Sequence, residues 1–310
     1  MSPAPGATMP LSTSLKTRRS LVATLLVAVG ATAAGCTIGD VDGEDATSSA
    51  ATTSDKQDAS TAGHPPRPTL GASPTKNPHK PEKPQERTDV ELHYDGSATI
   101  AVAGMKGPGQ TAVAPWSTMK VPIAIAALRN DPGMSATVAQ AIQNSDNAAA
   151  ETLWSSLGSP PQAAEATGAV ISEGGSTARV ETQPVRPGFS SFGQSEWSLS
   201  AQADFASHLR CIKGAEPVVK AMGNVTNGGG YGLGTIPGAI FKGGWGPDAD
   251  GAYGVRQFGL IPKSEGDGGY VAVAIAVKSP DGSYESAQAE LTAAAEFLKG
   301  KVGSLPAAAC

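Results

Sequence analysis

Cysteine is almost missing from this 310-residue chain, at three residues, and histidine is nearly as scarce, at four. One cysteine pair and four scattered histidines supply no ligand cluster, so no metal site and no cofactor are expected. Aromatic residues make up 5% and charged residues 16%, and the net charge is −5, from 23 Lys+Arg against 28 Asp+Glu. That balance leaves no basic footprint for a nucleic-acid partner. Long hydrophobic runs are lacking too. The apolar stretch "LVATLLVAVGATAA" at 21–34 falls short of the roughly 20 residues that a membrane-spanning helix needs. No segment repeats at a fixed period.

What is present begins with an export pattern. Lys16, Arg18 and Arg19 precede the apolar stretch, small residues follow it, and "AAGC" ends at Cys36. Residues 1–36 therefore read as a signal peptide with a lipobox, and the adjacent arginines resemble a twin-arginine signal. Attachment to the membrane through a lipid on Cys36, with the rest of the chain outside the cytoplasm, is the expected localisation. Residues 37–87 are rich in Ser and Thr and then in Pro and Lys, with neither helical nor strand periodicity. They read as a disordered tether. With Cys36 lipidated, Cys211 and Cys310 remain in an oxidising compartment, where a disulfide between them is expected.

Globular patterning runs from 88 to 310. "TDVELHYD" and "SATIAVAG", joined at Gly96, give a hairpin signal. "STMKVPIAIAALRN" reads as a helix opened by Ser117, with Pro122 still in its first turn. "SATVAQAIQNSDNAAAETLWSSLG" holds two helical stretches broken at "NSDN", and "SLSAQADFASHLRCI" and "AEPVVKAMGNV" are helical. Three strand-like runs follow, "GAIFKGG", "YGVRQFGLIP" and "GYVAVAIAV". A final helix, "SYESAQAELTAAAEFLKG", has Gly300 placed as its C-cap. Strands at both ends with helices between predict an α+β domain whose antiparallel sheet is assembled from the two chain ends.

On a helix, Ser117 and Lys120 lie at i and i+3, so both side chains leave one face about a turn apart. A lysine desolvated there can take the proton of a nucleophilic serine. The pattern alone is weak: Ser117 by itself reads sooner as a helix cap, and Ser73-Pro-Thr-Lys76 repeats the spacing inside the proline-rich tether. Two further elements add weight, Ser145-Asp146-Asn147 at the break between helices and Lys242-Gly243-Gly244 on a strand.

In order and context, these three elements resemble the S-x-x-K, S-D-N and K-T-G motifs of the class A serine β-lactamase and penicillin-binding protein superfamily. The resemblance extends over essentially all of 88–310. It implies a β-lactamase/transpeptidase-like fold with a reduced helical subdomain and an acyl-enzyme mechanism. Ser117 would attack a carbonyl and Lys120 would take its proton. Ser145, held by Lys242, would relay a proton to the leaving nitrogen. Asn147 would bind the substrate's side-chain amide, beside Gly244 on the strand. The backbone N–H groups of Ser117 and Trp245 would form the oxyanion hole. Asp146 would brace the loop. The implied partner is a β-lactam or a peptidoglycan-derived peptide.

The sequence departs from that family in three places. Ser117 and Ser145 stand closer together than in class A enzymes. The strand motif reads K-G-G-W, without the hydroxyls that grip a substrate carboxylate; Arg256 on the next strand is the candidate replacement, and it reads equally as a solvated strand arginine. The loop before "SLSAQ" lacks the family's E-x-x-L-N, leaving Glu181 as the candidate deacylation base. The expectation is a serine hydrolase that acylates and releases slowly. A non-catalytic peptidoglycan-binding lipoprotein and a D-amino-acid peptidase or esterase on the same fold are the alternatives.

Overall fold

The run "YVAVAIAVK" has no polar face, and a strand without one must be covered on both sides. In the computed structural model, which describes residues 88–263 and 269–310, that run is an inner strand of a four-stranded antiparallel sheet. The signal peptide, Cys36 and the tether lie outside the described residues.

The N-terminal strands are β1 (Thr88–Glu91), β2 (Thr99–Val102) and β3 (Met105–Lys106). After them come a 3-10 turn (Trp116–Met119) and six helices: α1 (Lys120–Asn130), α2 (Ser135–Gln143), α3 (Asn147–Ser156), α4 (Pro160–Glu173), α5 (Leu199–His208) and α6 (Glu216–Met222). The strands β4 (Ile240–Pro247), β5 (Tyr253–Pro262) and β6 (Tyr270–Lys278) and the helix α7 (Tyr284–Lys301) complete the domain. The sheet order is β2-β6-β5-β4, so β2 from the N-terminal end pairs with the last strand, β6, as the pattern of strands at both ends predicts.

The expected N-terminal hairpin does not form. β1 pairs in parallel with β3, while β2 pairs antiparallel with β6. The apolar alternation of β2 is satisfied better by the long apolar strand than by its short neighbour. Gly300 lies inside α7, which continues to Lys301 before a 3-10 turn ends it. Helix α4 comes from a stretch to which the sequence alone assigns no element, "PPQAAEATGAVISE", and it opens with paired prolines. They occupy the first turn, where a missing N–H costs nothing, and Ser159 and Gln162 close a capping box.

Two cores flank the sheet. Val271, Val273, Ile275 and Val277 of β6 pack with Leu291, Ala294 and Leu298 of α7. The alternate residues, Ala272, Ala274 and Ala276, join the larger core with α1, α5 and the aromatic group Trp197, Phe205 and Phe258. Large side chains thus face α7 and small ones face α5. Cys211 and Cys310 form a disulfide with Cα atoms 5.9 Å apart, tying the end of the chain to the turn after α5.

Candidate active site

Ser117 lies in the 3-10 turn that leads directly into α1, and only 2% of it is exposed. The three poor helix formers at 144–146 end α2, and Asp146 caps α3 by accepting from Ala149 N at 2.7 Å. That cap makes Asp146 a brace of the loop and leaves Ser145 and Asn147 on either side of it. Two residues among those described have a positive φ without being glycine, Trp116 at 47° and Ser145 at 54°. One immediately precedes the nucleophile candidate and the other is the proton-relay candidate. A backbone held in that region costs about 1–3 kcal/mol and persists only where its surroundings enforce it.

The side chains converge through lysine. Lys120 Nζ donates to the backbone oxygen of Ser145 at 2.6 Å and to Asn147 Oδ1 at 2.8 Å. Lys242 Nζ donates to Ser145 Oγ at 2.9 Å and to the oxygen of Gly243 at 2.8 Å. Both lysines and Ser145 are buried. Three elements distant in sequence, the first turn of α1, the α2–α3 loop with the start of α3, and β4, therefore share one hydrogen-bonded cluster. A hydroxyl fixed by one ammonium beside a second lysine has the parts needed to move a proton.

β4 is an edge strand, and its alternation decides what reaches the site. Lys242, Gly244 and Gly246 face the 3-10 turn. A Cβ on Gly244 would stand 2.6 Å from Pro115 O and 2.7 Å from Ser117 N, and one on Gly246 would meet the Trp116 ring at 2.7 Å. Only glycine permits this approach. It brings the backbone of β4 alongside the Ser117 N–H. Trp245 turns its indole to the opposite face, where it packs with Tyr284. The loop at 179–196 is fastened to the end of β4 by Arg186, which donates to the oxygens of Pro247 and Asp248 at 2.5 and 2.7 Å. Its guanidinium also lies 5.7 Å from the centre of the Trp116 ring.

Arg256 does not present a cation to substrate. It is 1% exposed, and it donates to Gln202 Oε1 at 2.6 Å, Trp197 O at 2.6 Å and Val113 O at 3.1 Å. Burial lowers its pKa to about 9, which leaves it charged at neutral pH. Arg256 pairs with Gly244 and leaves the sheet on the same face, but its guanidinium is drawn to α5 and to the backbone before it rather than to the open site. Glu181 is committed elsewhere. Its carboxylate pairs with Arg179 at 2.6 Å, and Arg179 also holds Glu196.

Sequence reasoning passed over Gln202, Thr118 and Glu151. Gln202 Nε2 donates to Thr118 Oγ1, linking Arg256 to the turn that carries Ser117. Glu151 sits on α3 four residues after Asn147, and burial raises its pKa even though the Lys120 ammonium pulls it down. The spacing N-x-x-x-E in "NAAAE" was the available signal.

Comparison with known proteins matches no family model and no curated protein. Solved structures do match, 284 chains in all. A class A β-lactamase from Bacteroides cellulosilyticus superposes with a TM-score of 0.54 at 15% identity, covering 68% of this chain and 94% of that one. A β-lactamase from Chitinophaga pinensis gives 0.53 at 17% identity, covering 66% and 93%. A variant of the reconstructed class A β-lactamase of the last common ancestor of Gram-negative bacteria gives 0.51 at 18% identity, covering 66% and 92%. The chain has the class A β-lactamase fold. Within that fold, the hydrogen bonds of Lys120 and Lys242 join the three stretches that resemble the family's motifs.

Proposed function

We propose that residues 88–310 form a serine acyl-transfer domain, carried outside the cytoplasm as a lipoprotein anchored through Cys36. The observation that carries this reading is the double lysine arrangement, with Lys120 on Ser145 O and Asn147 Oδ1 and Lys242 on Ser145 Oγ. In the proposed reaction Ser117 Oγ attacks an acyl carbonyl and its proton passes to Lys120 Nζ. Charge builds on the carbonyl oxygen, which the N–H groups of Ser117 and Trp245 stabilise. Collapse expels the leaving nitrogen, which takes a proton from Ser145 Oγ as Ser145 regains one from the Lys120 ammonium, so that the Ser117 proton ends on the leaving group and no alkoxide remains. Lys242 orients that hydroxyl and offsets the negative charge as the proton leaves. Asn147 and the backbone of β4 at Gly244 bind the substrate. The substrate class is a β-lactam or a peptidoglycan-derived peptide, or an ester or D-amino-acid peptide cleaved by the same chemistry.

The grip on a substrate carboxylate is weak in this reading, because Gly243 offers no hydroxyl and Arg256 is bonded inward. Acylation should therefore be slower than in an efficient lactamase, and the acyl-enzyme should persist. Incubating the purified chain with a fluorescent penicillin and weighing the product by mass spectrometry tests this. One adduct on Ser117, absent in Ser117→Ala and unchanged in Ser73→Ala, is the expected result. Equal labelling of wild type and Ser117→Ala would end the reading.

A second reading, a non-catalytic binder of peptidoglycan peptides, is favoured by the near-complete burial of Ser117. It predicts saturable peptide binding, equal in wild type and Ser117→Ala, with no covalent adduct from any activated ester.

A further inference from the structure

Asn147 opens α3, and Glu151 follows at i+4 on the same helical face, one turn further along. Since Asn147 Oδ1 accepts from Lys120 Nζ at 2.8 Å, the Glu151 side chain leaves the helix just behind the lysine's hydrogen-bond partner. Glu151 is half-buried there. We propose that Glu151 is the residue that sets the protonation of Lys120, supplying from α3 a carboxylate that the loop at 179–196 keeps bound to Arg179. This rests on Ser117 and Lys120 being the nucleophile and its base.

The surroundings isolate the pair. Helix α3 packs against α1, α2 and α4. From α1 come Lys120 and Arg129, and Arg129 is engaged with Glu173 of α4 at 2.7 Å. The other charged residue of α4, Glu165, is exposed to water. Helix α2 carries no charged residue, and Asp146 at the head of α3 is used as its cap. On the far side of Ser145 stands Lys242. Burial raises the Glu151 pKa more than Lys120 lowers it, so this carboxyl holds a proton more readily than an ordinary glutamate.

The consequence for the reaction is a proton exchange that balances. One proton moves from the Lys120 ammonium to the Glu151 carboxylate, leaving a neutral amine and a neutral acid. The amine then takes the Ser117 hydroxyl proton as Oγ bonds to the carbonyl carbon. While the pair shares a single proton, the fraction of neutral Lys120 does not depend on pH. Without Glu151, Lys120 must give its proton to solvent, and that fraction falls about tenfold for each pH unit below the lysine's own pKa.

Two measurements on the full chain test this. In the first, the ε-ammonium of Lys120 is titrated by NMR in wild type and Glu151→Gln. Removing the carboxylate should lower the pH at which Lys120 deprotonates; coincident curves would overturn the proposal. In the second, the pH dependence of Ser117 acylation by an activated ester is recorded. Wild type should be nearly flat through weakly acidic pH, while Glu151→Gln should lose about tenfold per pH unit. Glu151→Asp should recover part of the flat profile. A purely structural role would lower the rate by one factor at every pH, and parallel profiles would overturn the proposal. If the titration shifts but wild type forms no adduct, the reading of Ser117 fails, and the role of Glu151 in acylation fails with it.

Discussion

Arg256 donates to the amide oxygen of Gln202 at 2.6 Å, and the amide nitrogen of the same Gln202 donates to Thr118 Oγ1 at 2.9 Å. Thr118 in turn donates to Pro115 O at 2.5 Å. A buried polar rod thus runs from β5 through α5 into the turn that holds Ser117. Arg256→Met should leave Gln202 and two backbone oxygens without their donor, at about 1–3 kcal/mol for each buried group left unsatisfied. The expected outcome is a large loss of stability in urea unfolding. A residue that bound substrate would instead raise KM for anionic substrates and leave stability unchanged.

Adjacent glycines on β4 should answer differently to substitution. Gly244→Ala forces a methyl against Ser117 N, so the turn that carries Ser117 must move; on the proposed reading acylation should disappear, with about 1–3 kcal/mol of destabilisation from overpacking. A Cβ on Gly243 meets nothing closer than Gln257 Cγ at 3.6 Å. Gly243→Thr should therefore fold normally and supply the missing hydroxyl. A hydrogen bond to a charged group is worth about 1.5–3 kcal/mol, so labelling by a carboxylate-bearing penicillin should speed up roughly tenfold or more. Labelling by an uncharged ester should not change. Stopped-flow acylation rates would separate the two.

Glu151→Gln should be more stable than wild type at neutral pH. The folded-state pKa of Glu151 lies above its ordinary value, so between those two values the folded chain holds the proton more tightly than the unfolded one. Stability from this group is fully present below the unfolded pKa and is lost as pH rises through the folded one. The advantage of the glutamine variant should therefore vanish in acid, below the usual carboxylate range. Urea midpoints at two pH values check the sign.

The disulfide closes a loop with a sequence separation of 99, and its loss should cost about 2–4 kcal/mol. The chain end has other anchors: Ala308 N, Ala309 N and Cys310 N donate to Tyr270 O, Ser207 Oγ and Ser207 O. Cys211→Ser with Cys310→Ser should thus unfold at lower urea while its acylation rate stays near wild type. Two free thiols in the oxidised protein would contradict the pairing.

The three terminal strands were legible because apolar runs bounded by turn residues have few other uses. The pairing of the first strand was not, since partner choice depends on what the rest of the chain makes available. The site motifs were legible as residue types at fixed intervals. What they could not reveal was reach: Arg256 and Lys242 leave the sheet on the same face, and only the folded structure shows Lys242 bonded to Ser145 while Arg256 is bonded to Gln202 and two backbone oxygens. Glu151 escaped notice for a similar reason, as one glutamate in an alanine-rich helix that gains meaning only from the lysine opposite.

The alanines of β6 have a consequence at Ser117, which lies on another element. Ala272, Ala274 and Ala276 let α5 settle close to the sheet, and α5 carries Gln202, the middle joint of the polar rod. Volume added beneath the helix would be transmitted along that rod as displacement of Thr118 and its neighbour Ser117. The spacing between a sheet and a helix thereby becomes an adjustment of where Ser117 sits, which a chain can retune by one methyl group without altering any residue of the candidate site.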